Sequence, residues 1–471
     1  LTEACCGTAD AATTRALLEN AGYDDPQRVL ATLDALRQHT AQLAESTQLL
    51  LNALLPPALE VIGSQPDPAA TLERFAALMQ SIARRSTYLA LLAEYPAALR
   101  QLVRLLAASP WAAQVLTQQP QLLDELISPQ ALMSVPDWVQ LAAQLRDELD
   151  ARPGDTEAQL DALRRFKQVQ TLRLLAQDVA GQLTLEALSD HLSNLADTLL
   201  AETLARCWAG LKTRHRDTPR FAVIGYGKLG GKELGYGSDL DVIFLYDEAA
   251  AAQAEKLARV AQRVNTWMTT HTAAGVLYDT DLRLRPDGAA GLMVSSIGAF
   301  RDYQAKRAWT WEHQALTRAR ACAGDAALGA RFEALRDEIL ALPRERAPLI
   351  ADIAAMRARM RAEHKGEAQD VKHAEGGVID LEFCVQALVL AHGARHPALR
   401  ENKGNHTLLQ RAGELGLIDP GLAREAGAAY LAMRRRTHRA AMNDEERVRL
   451  GAGELEAERG AVRRLWGAVF G

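Results

Sequence analysis

The sequence predicts an α+β fold that is predominantly helical, with a small mixed sheet between two larger helical regions. Three observations lead there. Of the 471 residues, 48 % are apolar but only 5 % aromatic, and Ala and Leu are abundant; both lose little conformational freedom in a helix. From about residue 12 to 150, and again from 297 to the end, apolar residues recur at helical spacing. Only between 221 and 296 does the period change to that of strands bounded by Gly and Pro.

At about 150 residues per domain the length suggests about three domains, and we expect boundaries at 1–155, 156–330 and 331–471. The segment "ARPGDTEA" (151–158) has Pro, Gly and Asp and no apolar residue larger than Ala, which marks the first of them. A net charge of −5 gives no overall basic field for nucleic acid. The cluster Arg434-Arg435-Arg436 is offset by Asp444-Glu445-Glu446 and reads as a solvated helix face. Cys5, Cys6, Cys207, Cys322 and Cys384 show neither C-x-x-C spacing nor a nearby His pair, so neither zinc nor a disulfide framework is expected, and a reducing cytoplasm fits. No apolar run approaches the ~20 residues that span a bilayer, and no signal peptide is visible. The start at Leu1 suggests a piece of a longer protein.

Taken in order, "TLERFAALMQSIARRSTYLALLAEY" places Leu72, Phe75, Leu78 and Ile82 on one helical face, then Leu89 and Leu92 one face on. "EYPAALRQLV" and "QQPQLLDELI" put Pro96 and Pro120 at the first turn of new helices, a weak internal echo. Long helices follow over 159–181 and 184–213, then the turn-like "RHRDTPR". "FAVIGY", "DVIFLYD", "GVLYDTDLRL" and "GLMVSS" read as strands, with a helix over 252–272 between the second and third.

The chemistry is concentrated in "FAVIGYGKLGGKELGYGSDLDVIFLYD", residues 221–247. Gly225, Gly227 and Gly230 spell G-x-G-x-x-G, the dinucleotide-binding fingerprint, which requires a full crossover helix before the next parallel strand. Only eight residues separate Gly230 from Asp239, three of them glycine; a crossover needs about a dozen or more. The dinucleotide reading is therefore set aside. A strand, a glycine turn, a short helix and a second strand carrying D-x-D resemble the core of the DNA polymerase β-like nucleotidyltransferases instead. Residues two apart on a strand share a face, so Asp239 and Asp241 project together while Leu240 and Val242 turn to the core. Paired carboxylates repel unless a cation lies between them, and Mg²⁺ or Mn²⁺ suits oxygen ligands that share a site with phosphates. The glycines would let backbone N–H groups approach a triphosphate. The bland alternative is a solvated D-x-D at a strand edge.

"YDTDLRLRP" weighs against that alternative, placing Asp279, Asp281, Arg283 and Arg285 at period two on one strand face. It offers a third carboxylate for a two-metal site and two guanidinium groups for a departing pyrophosphate. An ordinary ion-paired strand is the competing reading.

Residues 225–244 resemble the signature of the glutamine synthetase adenylyltransferase family, G-x-G-K-L-G-G-x-E-L-x-x-x-S-D-x-D-h-I-F. Thr280 to Gly291, "AWTWEHQALTRAR" (308–320) and "KHAEGGVIDLEF" (372–383) resemble further blocks, so the likeness runs from about Thr71 to Ala391. Members of this family carry two nucleotidyltransferase halves. One removes AMP from glutamine synthetase by phosphorolysis, and the other attaches it from ATP to a tyrosine hydroxyl with release of pyrophosphate. "GSDLD" and "WTWEHQAL" look like the attaching half, and the helical segment before 150 looks like the linker preceding it.

The resemblance implies two Mg²⁺ ions (Mn²⁺ possible) held by Asp239, Asp241 and Asp281, which would also carry catalysis; it is the family pattern that selects Asp281 over Asp279. It implies that Gly227, Lys228, Gly230, Gly231, Ser238, Arg283, Arg285 and Lys372 contact ATP, with Lys228 where the wider superfamily has a serine. The implied partners are glutamine synthetase, the PII signalling protein, glutamine as effector and the adenylyl-removing half, with no nucleic acid and no membrane. Glu312 and Glu382 are further candidates, while Trp309 and Trp311 read as packing. Two alternatives stay open: the AMP-removing half, and a PII- or glutamine-sensing module with little activity alone.

Overall fold

Prolines set where the N-terminal helices begin. Pro26–Thr40, Pro68–Ile82, Pro96–Ala108 and Pro110–Gln118 each open on proline, whose missing N–H costs nothing in a first turn and whose ring fixes a helical φ. Asp25, Asp67 and Ser109 cap three of them, accepting from the amides of Arg28, Ala70 and Ala112. The computed structural model describes residues 11–248, 251–363, 369–443, 445, 448–451 and 453–471. Cys5, Cys6, Asp444 and Glu446 lie outside the described residues.

The chain forms two compact units, one from Leu1–Pro136, Gln168–Thr184 and Ala441–Glu445, the other from Asp137–Lys167, Leu185–Ala440 and Glu446–Gly471. In the first, Leu72, Phe75, Leu78, Ile82, Leu89 and Leu92 are all buried. The shift of face falls where the helix breaks, between Pro68–Ile82 and Ser86–Glu94. Pro120 opens a 3₁₀ helix, Pro120–Leu126, rather than the α-helix expected. Its i→i+3 bonds (Leu122 N to Gln119 O, 3.1 Å; Ile127 N to Asp124 O, 3.2 Å) are those of the tighter helix.

The second unit contains the sheet. Strand β1 (Phe221–Gly225) pairs antiparallel with β2 (Leu240–Tyr246). β3 (Thr280–Asp281) and β4 (Val294–Ser296) both lie parallel to β2, reached after the helix Ala251–Thr269. β5 (Arg320–Gly324) adds antiparallel to the other edge of β1, giving the order β3-β2-β1-β5 with β4 also on β2. All of β1 is buried. Ala222, Ile224, Tyr226, Ile243 and Leu245 pack with Ile297, Phe300, Leu316 and Phe332 into one core. A second core joins the helices Val378–His392, Pro420–Met442 and Glu456–Phe470 through Leu381, Val385, Leu388, Tyr430, Met433, Val462 and Leu465.

Three expectations are corrected. The region from 297 onward is not wholly helical, because β5 interrupts it. "RACAG" has no β-branched residue, but the buried β1 needs partners for its backbone on both edges. The strand carrying Asp281 ends there instead of running to Leu284. The Arg283 amide donates to Oδ1 of Asp281 at 2.8 Å, which folds the chain into an Asx turn. Arg434 is buried rather than solvated, because it donates to the Glu233 carbonyl (2.9 Å) and to Ser189 Oγ (2.6 Å).

Candidate active site

The two signatures in residues 221–247 meet in one turn. β1 and β2 are antiparallel and joined by the single-turn helix Gly227–Gly230, so no βαβ crossover exists for a dinucleotide. The turn is shaped by Gly227, whose φ of +53° favours glycine. A Cβ added there would lie 2.4 Å from Oδ2 of Asp241. The glycine is thus what allows the turn and the carboxylate to approach each other. The Tyr226 amide ties the turn to β2, donating to the Asp241 carbonyl at 2.8 Å.

Asp241 sits in the only partly exposed position between Leu240 and Leu245, and Asp239 is exposed just ahead of the strand. Parallel pairing sets Asp281 beside Asp241, in the register Leu240↔Thr280 and Asp241↔Asp281. The Leu240 amide locks this register by donating to the Asp279 carbonyl at 2.9 Å. Asp279 therefore serves the sheet with its backbone. Burial, and then the charges of Asp239 and Asp281, push the Asp241 carboxyl up to about 6. Carboxylates crowded this way are relieved by a cation, and an all-oxygen donor set fits a hard divalent ion. Asp281 is held below the usual carboxylate range by hydrogen bonds from Arg283, whose Nε lies 2.8 Å from Oδ2. The Arg283 side chain is 80 % exposed, so it can leave when a cation competes. Among the described residues no three His, Cys, Asp or Glu side chains are drawn together as a ready-made metal cage.

Charge of the opposite sign gathers at the turn. The Lys228 ammonium is lowered by burial and by Lys372, against the pull of Glu382 and Asp239. Lys372 itself is exposed, and its carbonyl accepts from the Ile379 amide at the start of the helix Val378–His392 (3.2 Å). Ser238 Oγ accepts from the Gly235 amide at 3.1 Å and shapes the loop before the carboxylates. Gly230 and Gly231 lie against Arg318, with added Cβ atoms 2.0 Å from its carbonyl and 2.9 Å from its Nε. Arg285 does not reach out alongside Arg283. It donates to the carbonyls of Leu282 (2.8 Å), Ala289 (2.8 Å) and Gly291 (3.1 Å), holding its own loop.

Glu312 is engaged structurally, accepting from the Trp309 amide (2.9 Å) and the Tyr303 hydroxyl (3.1 Å) as a helix cap. Trp309 is 70 % exposed and is not packing. Sequence reasoning missed Glu233 and Arg318. Both are buried, and Arg318 bridges Glu233 and Glu382, 2.6 Å from the latter. Burial would raise the Glu233 carboxyl, but Arg318 and Arg434 hold it below its ordinary value. A charged residue inside the glycine-rich "GKLGGKEL" was the available signal.

A family model described as glutamate-ammonia ligase adenylyltransferase matches residues 99–335, half of the chain. Relatives named bifunctional glutamine synthetase adenylyltransferase/adenylyl-removing enzyme align over nearly all of it. The one from Chromobacterium violaceum is 51 % identical over 455 residues, 96 % of this chain and 51 % of the relative. The one from Aromatoleum aromaticum is 51 % identical over 91 % of this chain and 46 % of the relative. That from Neisseria meningitidis serogroup A is 46 % identical over 96 % and 51 %. The chain spans about half the length of the curated relatives it matches. No described helix is long and apolar enough to cross a membrane.

Proposed function

This chain belongs to the glutamate-ammonia ligase adenylyltransferase family, and we propose that it transfers AMP from ATP to a tyrosine hydroxyl of glutamine synthetase, releasing pyrophosphate. The single observation that carries this reading is the pairing of Asp241 with Asp281 on parallel strands, directly against the Gly227 turn. Asp239, Asp241 and Asp281 would hold Mg²⁺, which when bound neutralises the triphosphate and acidifies the attacking hydroxyl. The turn that opens at Gly227 would present the main-chain N–H groups of its first residues to the phosphates, the Gly230 and Gly231 amides being bonded to the Tyr226 and Gly227 carbonyls. Lys228 and Lys372 add positive charge there. The phenol oxygen attacks the α-phosphorus while the bond to the bridging oxygen breaks. An unperturbed tyrosine has a pKa of ~10, so its proton must go to a base; Asp281, once freed from Arg283, is the candidate. Arg283 is then available to the leaving pyrophosphate. PII and glutamine would regulate this transfer.

Removal of AMP by phosphate could use the same carboxylate frame. The "GSDLD" and "WTWEHQAL" segments favour attachment. Incubation of unmodified glutamine synthetase with this chain, Mg²⁺ and ATP labelled at the α-phosphorus tests it. Label should reach a tyrosine of the synthetase. Formation of ADP from phosphate and adenylylated synthetase, with no label transferred, would reverse the assignment.

A further inference from the structure

Glu233 lies outside the carboxylate frame, yet the C-terminal helices converge on it. Its amide donates to the Lys228 carbonyl at 2.8 Å, closing the glycine turn from behind. Its buried carboxylate accepts from the Asn405 amide (3.1 Å), Asn405 Nδ2 (3.1 Å), the Tyr430 hydroxyl (2.9 Å) and Arg318. Arg434 donates to its carbonyl at 2.9 Å. A second clasp sits two residues from the lysine, where Asn402 Nδ2 donates to the Gly230 carbonyl at 2.7 Å. Gly404 has φ +78°, and a Cβ there would stand 3.2 Å from Oε1 of Glu233, so the backbone is shaped to let the helix Gly404–Glu414 start against this carboxylate.

We propose that Glu233 is a positioning residue, through which Asn405 and Tyr430 of the C-terminal helical region, together with Asn402 acting directly on Gly230, set the phosphate turn and hence the affinity for the nucleotide. The proposal rests on the reading of residues 227–231 as the phosphate turn. A buried carboxylate that accepts from four donors, one at Oε1 and three at Oε2, is a rigid anchor, because hydrogen bonds in a buried network reinforce one another. Turn amides fixed in this way lose little freedom when phosphate arrives, which is how preorganisation raises affinity. None of the clasping residues needs to touch the ligand.

Two variants test this without stranding a buried charge. Tyr430→Phe deletes the hydroxyl that donates to Glu233, and Asn402→Ala deletes the bond to Gly230. Calorimetric titration with MgATP should show each weakening affinity about 3- to 10-fold, the value of one hydrogen bond. Transfer at saturating ATP should stay within about twofold of wild type, a split between KM and kcat. Hydrogen exchange of the 227–233 amides should quicken in both variants, and this readout needs no ATP. Wild-type affinity in both variants, even with a lowered melting temperature or faster exchange, would overturn the proposal by reducing Glu233 to a stability element. Unchanged exchange in the turn would overturn it as well, whatever the affinity. Failure of wild-type protein to bind MgATP would instead count against the functional reading, while the exchange data still decide whether the clasp holds the turn.

Discussion

Replacing Gly227 with alanine puts a methyl group 2.4 Å from Oδ2 of Asp241, at a backbone φ of +53°. The left-handed conformation costs a non-glycine residue about 1–2 kcal/mol. An ordinary van der Waals contact begins at 3.4 Å, so the carboxylate or the turn must retreat by about 1 Å, and such a misplacement of a reacting constellation can lower a rate about 10²-fold. We therefore expect Gly227→Ala to reduce transfer of label from α-labelled ATP by about two orders of magnitude. The backbone cost alone lowers the melting temperature by only a few degrees, since ~1 kcal/mol corresponds to about 2–4 °C in a domain of ~150–250 residues. The assay is single-turnover label transfer to glutamine synthetase at saturating ATP, with circular dichroism to show a retained fold. A variant within threefold of wild type would refute the argument that the close approach of turn and carboxylate is functional.

Further outcomes follow from the same geometry. Asp241→Asn should abolish transfer without unfolding the protein, because it relieves carboxylate crowding while removing a metal charge; a near-normal rate with unaltered Mg²⁺ dependence would contradict the site. MgATP should raise the melting temperature by binding the native state, whereas NAD should not, since antiparallel β1 and β2 offer no crossover; thermal shift measurements with each decide it. Asp380→Asn should destabilise the second unit by about 3–5 kcal/mol in denaturant titration, because buried Arg357, 2.5 Å from Asp380, would lose its counter-charge.

Much of the site was legible in the sequence because its signals are local. Strand periodicity pointed to Asp239 and Asp241 as a pair, of which β2 carries Asp241 while Asp239 stands just ahead of it, and the eight residues after Gly230 excluded a crossover helix. Both conclusions depend only on chain geometry over a few residues. The third carboxylate could be named, but the strand around it could not be measured, because the Asx turn at Arg283 competes with extension. Arg285 looked like a phosphate ligand because sequence shows a charge without showing the carbonyls already waiting for it.

Composition, period and spacing thus determined the class of fold and the rejected dinucleotide site and pointed to the D-x-D pair, while the family resemblance singled out Asp281 as the third carboxylate. Only tertiary structure decided that β1 has a fifth strand on its far edge, that Arg434 is buried and that Glu233 anchors the turn. Glu233 meets Arg318 across 85 residues of sequence, Asn405 across 172 and Tyr430 across 197. Such bonds leave no local pattern, because each partner's own neighbours would suit a solvated charge equally well. What selects the buried arrangement is the cost of an unpaired charge in a packed interior, and that cost exists only once the helices have closed around it.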